Sequence, residues 1–153
     1  MYCNAFFARV FPMRLPLKTQ YACQVLAQLA RTHSSEEIRQ VEELAAAEDL
    51  SSNYLVQILT ALRQAGLVIS RRGKNGGYLL ARHPDEITLA EIALAMEGGG
   101  LMESSPGNGG MSAESVRVAW ERVDRALVDC CRAIPLSELV AREKSEEGAD
   151  WVI

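Results

Sequence analysis

The chain has 153 residues, of which 48% are hydrophobic, and its net charge is −4 at pH 7, values typical of one globular domain with or without an appended arm. No apolar run approaches the ~20 residues that a membrane-spanning helix requires, so the composition excludes a transmembrane protein. The apolar patch at the start is too short for a signal peptide, which favours a cytoplasmic protein, and Met13 is an alternative natural start.

The charge is distributed unevenly along the chain. Residues 1–84 hold ten Lys/Arg and six Asp/Glu, a net charge of +4, whereas residues 85–153 hold six and fourteen, a net charge of −8. The segment 50–84 contains five basic residues and no acid. Because a local basic surface, and not the overall charge, attracts phosphate, this segment indicates a phosphate-binding region. A solvated charged face is the alternative explanation.

The first two predicted helices are short and amphipathic. Lys18–Arg31 places apolar residues at three- and four-residue spacing, a helical pattern formed by Ala22, Val25, Leu26 and Leu29. A polar connection follows, in which Ile38–Arg39 is interpreted as a short strand. The second helix, Val41–Glu48, presents one apolar face, made by Val41, Leu44 and Ala45.

The third predicted helix, Ser52–Ala65, has a signal at each end. Ser51 is its N-cap, Leu50 and Leu55 form a hydrophobic staple, and Gly66 ends it in the left-handed conformation. Its inward positions are Leu55, Ile58, Leu59 and Leu62. Two helices joined by a turn of three to four residues form a helix-turn-helix.

The outward positions of this third helix carry amides and hydroxyls instead of the usual Glu and Lys. They are Ser52, Asn53, Val56, Gln57 and Thr60. Asn and Gln side chains can make paired hydrogen bonds to adenine, so the face is suited to reading bases in the major groove of DNA. An ordinary polar helix surface is the alternative.

Two β-rich runs, Gly66–Ser70 and Tyr78–Ala81, enclose a basic loop that is rich in glycine. The order helix, strand, loop, strand predicts a β-hairpin whose tip carries Arg72, Lys74 and Asn75. Phosphate-binding loops of nucleotide enzymes run strand, loop, helix, and neither GxxxxGK[ST] nor GxGxxG is present. The loop is therefore predicted to be a wing that follows the DNA backbone or enters the minor groove.

These motifs together resemble a known family. The segment SSNYLVQILTALRQAGLVISRRGKNGGYLLARHPDEITLAEIALAMEG is similar to the signature region of the IscR/NsrR/CymR-type family of bacterial winged-helix transcriptional regulators, and the similarity runs from Met13 to about Val140. The resemblance implies a homodimer that binds a palindromic operator in double-stranded DNA. It implies DNA contacts, to bases or backbone, from Ser51, Asn53, Tyr54, Gln57, Arg72 and Gly73. Lys74, at the basic tip of the predicted hairpin, completes the set of predicted DNA-binding residues.

Two positions depart from the family pattern. Several relatives have Glu at the position of Val56, so the sequence preference of the recognition helix is expected to differ. Thr19-Gln20 stands where relatives often have Gly-Arg, so one phosphate contact is expected to be missing.

The segment after the wing predicts a capped helix and a loop. Thr88 and Glu91 form a capping box, Ile87 and Ile92 a staple, and Gly98 a stop. The loop at 98–111 is rich in glycine, and in sensing members of the family it carries three cysteines that hold an iron–sulfur cluster. Here it has no cysteine. Because such clusters require thiolate ligands, we expect no cluster at the family site, and no other cofactor or metal is predicted.

A long helix, Ser112–Ile134, carries an apolar stripe at heptad spacing. Its members are Val116, Trp120, Val123, Leu127, Cys130 and Ile134. Such a stripe is suited to pairing with another helix, and the family dimerises through its long helix. Cys130 and Cys131 are interpreted as buried interface residues, with a thiol switch as the alternative, and Cys23 as a small core residue. His33 and His83 are fifty residues apart, and no role is assigned to them.

The predicted fold is mainly α with a small β-hairpin: an N-terminal winged helix-turn-helix followed by a long dimerisation helix. The predicted organisation is a disordered extension at 1–12, a DNA-binding domain at 13–84, a helical dimerisation region at 85–142 and an acidic tail at 143–153. We expect a transcriptional regulator, specifically a repressor, and not an enzyme, because no catalytic set of residues is present. The alternative is a winged-helix interaction module that no longer binds DNA. The effector, a small molecule, a protein or thiol oxidation, is left open.

Overall fold

The structure, a computed structural model, describes residues 15–98 and 109–141. In chain order its elements are α1 (Leu17–Arg31), α2 (Val41–Ala47), α3 (Ser52–Gln64), β1 (Val68–Arg71), β2 (Gly77–Leu80), α4 (Leu89–Glu97), α5 (Ala113–Arg132) and α6 (136–141), with 3-10 turns at His33–Ser35 and Pro84–Glu86. This mainly helical fold with one antiparallel hairpin confirms the predicted fold class. No helix in these ranges is long and apolar enough to cross a membrane. The predicted extension, the acidic tail and most of the Gly-rich loop lie outside the described residues.

The hydrophobic core lies between α1, α3 and α4, with α2 and the hairpin packed around it. The four inward positions predicted for α3 have no solvent exposure, and neither do Ala22, Val25 and Leu26 of α1. Burying a Leu or Ile side chain completely contributes roughly 1.5–3 kcal/mol. The core of the winged helix is therefore closed by residues that follow the wing, because Ile87, Ile92, Met96 and Leu136 belong to the same buried cluster.

The turn between α2 and α3 fixes the entry of α3. Asp49 adopts the left-handed conformation at φ 53°, and the N–H of Leu50 donates to the carbonyl of Ala45 at 2.9 Å. The Ser51 hydroxyl then accepts the N–H of Tyr54 at 3.3 Å. The predicted N-cap and the helix-turn-helix are thus both present, and Leu50 packs against the core as a staple residue does.

The end of α3 leads directly into the hairpin. Gly66, at φ 73°, is the predicted left-handed residue, and the N–H of Leu67 still donates to the carbonyl of Leu62 at 2.9 Å. Because Leu67 belongs to this helix-ending motif, β1 begins at Val68, two residues later than predicted. The strands pair antiparallel, with Val68 opposite Leu80.

A third chain segment pairs with the hairpin at Arg39. The N–H of Arg39 donates to the carbonyl of Tyr78 at 3.0 Å, and the N–H of Tyr78 donates back to the carbonyl of Arg39 at 2.9 Å. The short strand expected at Ile38–Arg39 is therefore a single-residue bridge. It attaches the hairpin to the segment that precedes α2.

The second half begins with α4, which has the predicted capping box and ends at Gly98 with φ 70°. The prediction that the long helix reaches Ile134 is wrong, because α5 ends at Arg132. The carbonyl of Ile134 accepts the N–H of Leu89 at 3.0 Å, and the N–H of Leu136 donates to the carbonyl of Ile87 at 2.7 Å. These bonds hold the chain after α5 against the start of α4, so Ile134 is not on the helix that carries the other stripe residues.

Candidate nucleic-acid interface

The outward face of α3 presents a compact set of polar side chains. Asn53, Val56 and Gln57 are exposed, whereas Ser52 and Thr60 are half-buried. The Thr60 hydroxyl donates to the carbonyl of Val56 at 2.7 Å, so its proton is already used within the helix. Asn53 and Gln57, four residues apart on one face, are the two amides free to reach outward.

Tyr54 lies at the edge of this face. Its ring packs edge-on against the ring of Tyr21 in α1, with 6.0 Å between the ring centroids and 89° between the planes. Aromatic pairs in this arrangement attract each other through their quadrupoles. The contact fixes the start of α3 against α1 and so fixes the direction in which the amides point.

The wing tip is a tight turn with a glycine at a position that requires one. Gly73 has φ 119°, which L side chains rarely adopt, and its carbonyl accepts the N–H of Gly76 at 2.9 Å. A Cβ at Gly76 would lie 2.3 Å from the carbonyl oxygen of Arg71. The turn exposes Arg72 and Lys74 at the end of the hairpin.

A basic cleft separates the wing from the start of α2 and the end of α3. The cleft has a volume of about 480 Å³ and is lined by Arg63, Arg71, Arg72 and Lys74. Glu42 is the only acid among the described residues that line it. Four positive charges around one opening form a surface that attracts a polyanion.

Two members of the cleft, Arg63 and Arg71, were not among the predicted site residues. The guanidinium of Arg63, near the end of α3, donates to the hydroxyl of Ser70 in β1 at 3.4 Å. This contact directs Arg63 toward the wing. The only indication in the sequence was that both residues belong to the segment 50–84, which contains no acid. Which arginines meet in the cleft depends on the packing of α3 against β1.

The apolar stripe of α5 is exposed. Val116, Trp120 and Val123 are 53%, 45% and 44% exposed, and none of the helix's 20 residues is buried. Leu127 is half-buried and Cys130 is exposed. Exposed apolar residues in a row on one helix mark an interaction surface.

The described cysteines form no disulfide. Cys23 packs against the core, where burial raises the pKa of its thiol to about 11, and a nearby charge on Cys131 acts in the same direction. Burial, and then the adjacent Cys130, also raises the pKa of Cys131. A raised pKa keeps a thiol protonated and poorly nucleophilic at neutral pH.

The loop at 98–111 offers no thiolate that could ligate an iron–sulfur cluster. In the sequence, no cysteine lies between positions 24 and 129. Across residues 15–98 and 109–141, no three His, Cys, Asp or Glu side chains converge as metal ligands would.

The two histidines, treated as isolated in the sequence, lie together. The ring centroids of His33 and His83 are 5.3 Å apart. The separation of fifty residues was misleading because the 3-10 turn after α1 and the segment after β2 pack side by side. No local pattern in the sequence could have revealed this pair.

Comparison with known proteins gives a consistent result. A family model described as "Rrf2: Iron-dependent Transcriptional regulator" matches residues 15–142. The regulator CymR of Bacillus subtilis is 32% identical over 142 residues, which cover 90% of this chain and 96% of CymR. A putative HTH-type transcriptional regulator of Mycobacterium tuberculosis, Rv1287, is 42% identical over 86 residues, and the match spans about half (53%) of its length.

Solved structures agree with the sequence relatives. The structure of CymR, titled as the global cysteine regulator of B. subtilis, superimposes with a TM-score of 0.71 at 30% identity and covers 84% of this chain and 97% of that one. The structure of T. potens IscR superimposes with a TM-score of 0.69 at 27% identity and covers 92% and 93%. The chain belongs to the Rrf2 family of bacterial winged-helix transcriptional regulators.

Proposed function

We propose that this regulator is a repressor that binds a palindromic operator as a homodimer, with α3 in the major groove and the wing in the minor groove. The observation that carries the proposal is that α3 bears the exposed amides Asn53 and Gln57 and, near its end, Arg63, which lines the basic cleft together with the wing. α3 and the wing thus combine groups that attract phosphate with groups that distinguish bases, as operator binding requires.

Base recognition is assigned to α3. The exposed amides of Asn53 and Gln57 can each bond an adenine edge, and exposed Val56 offers an apolar contact to a thymine methyl group. Ser51 and Tyr54, at the start of the helix, are assigned contacts to base edges or the backbone. The Ser51 hydroxyl accepts an N–H within the helix, which leaves its proton available to a phosphate oxygen.

Backbone and minor-groove contacts are assigned to the wing. Arg72 and Lys74 extend from the Gly73 turn, and arginine is favoured in a narrow minor groove because the negative potential is strongest there. Arg63 and Arg71, farther inside the basic cleft, are assigned to phosphates.

Dimerisation is assigned to the apolar stripe of α5, from Val116 through Trp120, Val123 and Leu127 to Cys130. Its exposure in the single chain is explained if a second copy covers it. A two-fold dimer presents two copies of α3, which matches a palindrome whose half-sites are about one helical turn apart. Residues 13–84 are accordingly proposed as the DNA-binding domain and 85–142 as the dimerisation region.

The remaining assignments follow from the family and the side chains. We assign no catalytic role, because the relatives are named as regulators of transcription. We place the protein in the cytoplasm, where the chromosome of a bacterium lies. No cluster is proposed at the family site, since the sequence has no cysteine there. We therefore assign the control of DNA binding to an effector other than such a cluster.

Arg72→Ala is the variant that tests the operator proposal. Fragments bound by the full chain are first selected from genomic DNA, and the affinity for a recovered fragment is then measured by fluorescence anisotropy. Loss of the wing guanidinium should weaken binding by about 1–3 kcal/mol. Arg125→Ala, which removes an exposed charge from α5, is the matched control and should bind like the wild type.

The salt dependence of the same titration separates DNA binding from a protein-interaction role. Each neutralised phosphate releases counterions, so log K should fall steeply with log salt concentration. A flat dependence, or equal affinity for Arg72→Ala and the wild type, would contradict the proposal and favour an interaction module.

A further inference from the structure

The contact between His33 and His83 is built on two rigid turns. The carbonyl of His33 accepts the N–H of Glu36 at 3.1 Å, and the carbonyl of His83 accepts the N–H of Glu86 at 2.9 Å. The imidazole planes are 85° apart, with ring centroids 5.3 Å apart. The backbone of each histidine is thus held in a hydrogen-bonded turn, and the two imidazoles lie in contact.

Both imidazoles face a cavity with acidic surroundings. The cavity has a volume of about 460 Å³, and Glu36 and Glu37 line it together with the two histidines. No Lys or Arg is among the described residues that line it. Such a field favours a cation and disfavours an anion.

We propose that His33 and His83 bind a divalent first-row transition-metal ion such as Zn²⁺, Ni²⁺ or Cu²⁺. Neutral imidazole is a preferred ligand of these ions. Two imidazoles on one tetrahedral ion, each with a metal–nitrogen bond of about 2.0–2.1 Å, have ring centroids about 5 Å apart, close to the separation found here. Since no third protein ligand converges on this point in the described residues, water completes the coordination sphere.

The surroundings of His83 select the nitrogen that binds. Its Nδ1 accepts the backbone N–H of Asp85 at 3.3 Å, and Oδ2 of the same Asp85 lies 3.2 Å from that nitrogen. Because Asp85 engages Nδ1, Nε2 is the nitrogen left for the ion. When Nε2 binds, the imidazole proton moves to Nδ1, where the Asp85 carboxylate accepts it in place of the bond from the backbone N–H. A carboxylate behind a ligating imidazole fixes the tautomer and raises the basicity of the ligand.

The site joins two elements that the backbone connects only through fifty residues. His33 follows the end of α1, and His83 follows β2, the returning strand of the wing. An ion that bridges them binds the folded state in preference to the unfolded chain and therefore raises the unfolding temperature. This consequence does not depend on DNA binding.

Titration of the full, untagged chain with Cu²⁺ or Zn²⁺ tests the site. The sequence contains two histidines, so imidazole signals can be assigned without ambiguity. We expect Cu²⁺ to give nitrogen hyperfine splitting from two imidazoles in electron paramagnetic resonance. We also expect Zn²⁺ to raise the unfolding temperature, and His33→Ala or His83→Ala to lower the affinity by about tenfold or more.

The four cysteines provide the control, because thiolates bind the same ions. A variant with Cys3, Cys23, Cys130 and Cys131 changed to Ser should keep the wild-type affinity and splitting. Unfolding without metal shows whether each histidine variant is folded, and His33→Gln is the second variant if His33→Ala is not. Unchanged affinity in the folded histidine variants, or loss of binding in the cysteine variant, overturns the proposal.

Discussion

The winged-helix part of the chain and the long helix α5 differ in how they bury apolar surface. In the first, Leu55, Leu59 and Leu62 of α3 are completely buried within a single chain. In the second, none of the 20 residues of the helix is fully buried, and Trp120 remains 45% exposed. One region is complete within the chain, whereas the other has its main apolar surface uncovered.

The difference separates two roles. A complete core makes the winged helix a rigid support, and on it the exposed residues Asn53, Gln57 and Arg72 are polar or charged. The exposed apolar stripe of α5 is not part of such a core, but it can associate with a matching apolar surface. The comparison therefore supports DNA contact by the first region and assembly by the second.

Leu59→Ala should give the largest effect on stability. Removing a fully buried leucine leaves a cavity and costs about 2–5 kcal/mol of the free energy of unfolding. Val123→Ala on the 44% exposed stripe is the control, and at concentrations where the chain is monomeric it should cost less than about 0.5 kcal/mol. Urea denaturation measures both. Equal losses for the two variants would contradict the distinction between the regions.

Trp120→Ala should instead weaken self-association. Aromatic residues at the centre of an interface commonly contribute about 2 kcal/mol or more to binding. Analytical ultracentrifugation should show the variant dissociating at higher concentrations than the wild type, and operator affinity should fall with the dimer. Val118→Ala, on the same helix outside the stripe, is the matched control. A monomeric wild type would remove the assembly role of α5.

Gly77→Ala tests whether the wing is positioned by the bridge to Arg39. The added Cβ would lie 2.3 Å from the carbonyl oxygen of Arg39, so the bridge must open. Loss of its two hydrogen bonds should cost about 1–3 kcal/mol in stability, and the displaced wing should weaken DNA binding.

Gly98→Ala is the control for Gly77→Ala, because it strains a left-handed residue at the end of α4, where a Cβ has no neighbour within 4 Å. It should cost about 1 kcal/mol in stability and leave DNA affinity unchanged. If both variants bind DNA equally well, the bridge does not position the wing.

Local patterns in the sequence predicted the secondary structure well because its causes are local. The capping box of Thr88 and Glu91, the Ser51 cap and the left-handed Gly66 each depend on residues within one or two turns. The apolar spacing of α3 likewise predicted its buried positions. These features follow from periodicity and hydrogen-bonding capacity alone.

Features that depend on packing between distant segments were not predictable in the same way. The participation of Arg63 in the basic cleft requires α3 to lie against β1, and the pairing of His33 with His83 requires two turns to meet. The end of α5 was misplaced because bonds from Ile134 and Leu136 to the start of α4 interrupt a pattern that is locally helical. In each case a contact between segments that are distant in the sequence determines the structure at that position.

Arg82→Ala should give the smallest effect, and that effect should depend on pH. A guanidinium nitrogen of Arg82 lies 2.7 Å from Oε1 of Glu91. Partial burial acts to raise the pKa of Glu91, but hydrogen bonds from Arg82 and Thr88 and the charge of Arg82 outweigh it, so the pKa is lowered below 4.5. A lowered folded-state pKa stabilises the protein above the unfolded value, and this contribution disappears as the pH falls through the folded-state pKa.

Since both side chains are more than one-third exposed, solvent screens the pair, and we expect Arg82→Ala to cost only about 0.5 kcal/mol at pH 7. The cost should shrink as the pH falls through the lowered pKa of Glu91, because the carboxyl then becomes protonated. The hydrogen bond from Arg82 to the carbonyl of Glu86, at 3.2 Å, should leave a remainder that does not vary with pH. Arg132→Ala, which breaks the more exposed pair with Asp129, is the control and should have almost no effect at either pH. A cost for Arg82→Ala that stays constant in urea denaturation from pH 7 to pH 3 would exclude Glu91 as its source, and would leave the Glu86 carbonyl as the partner that matters between the wing and α4.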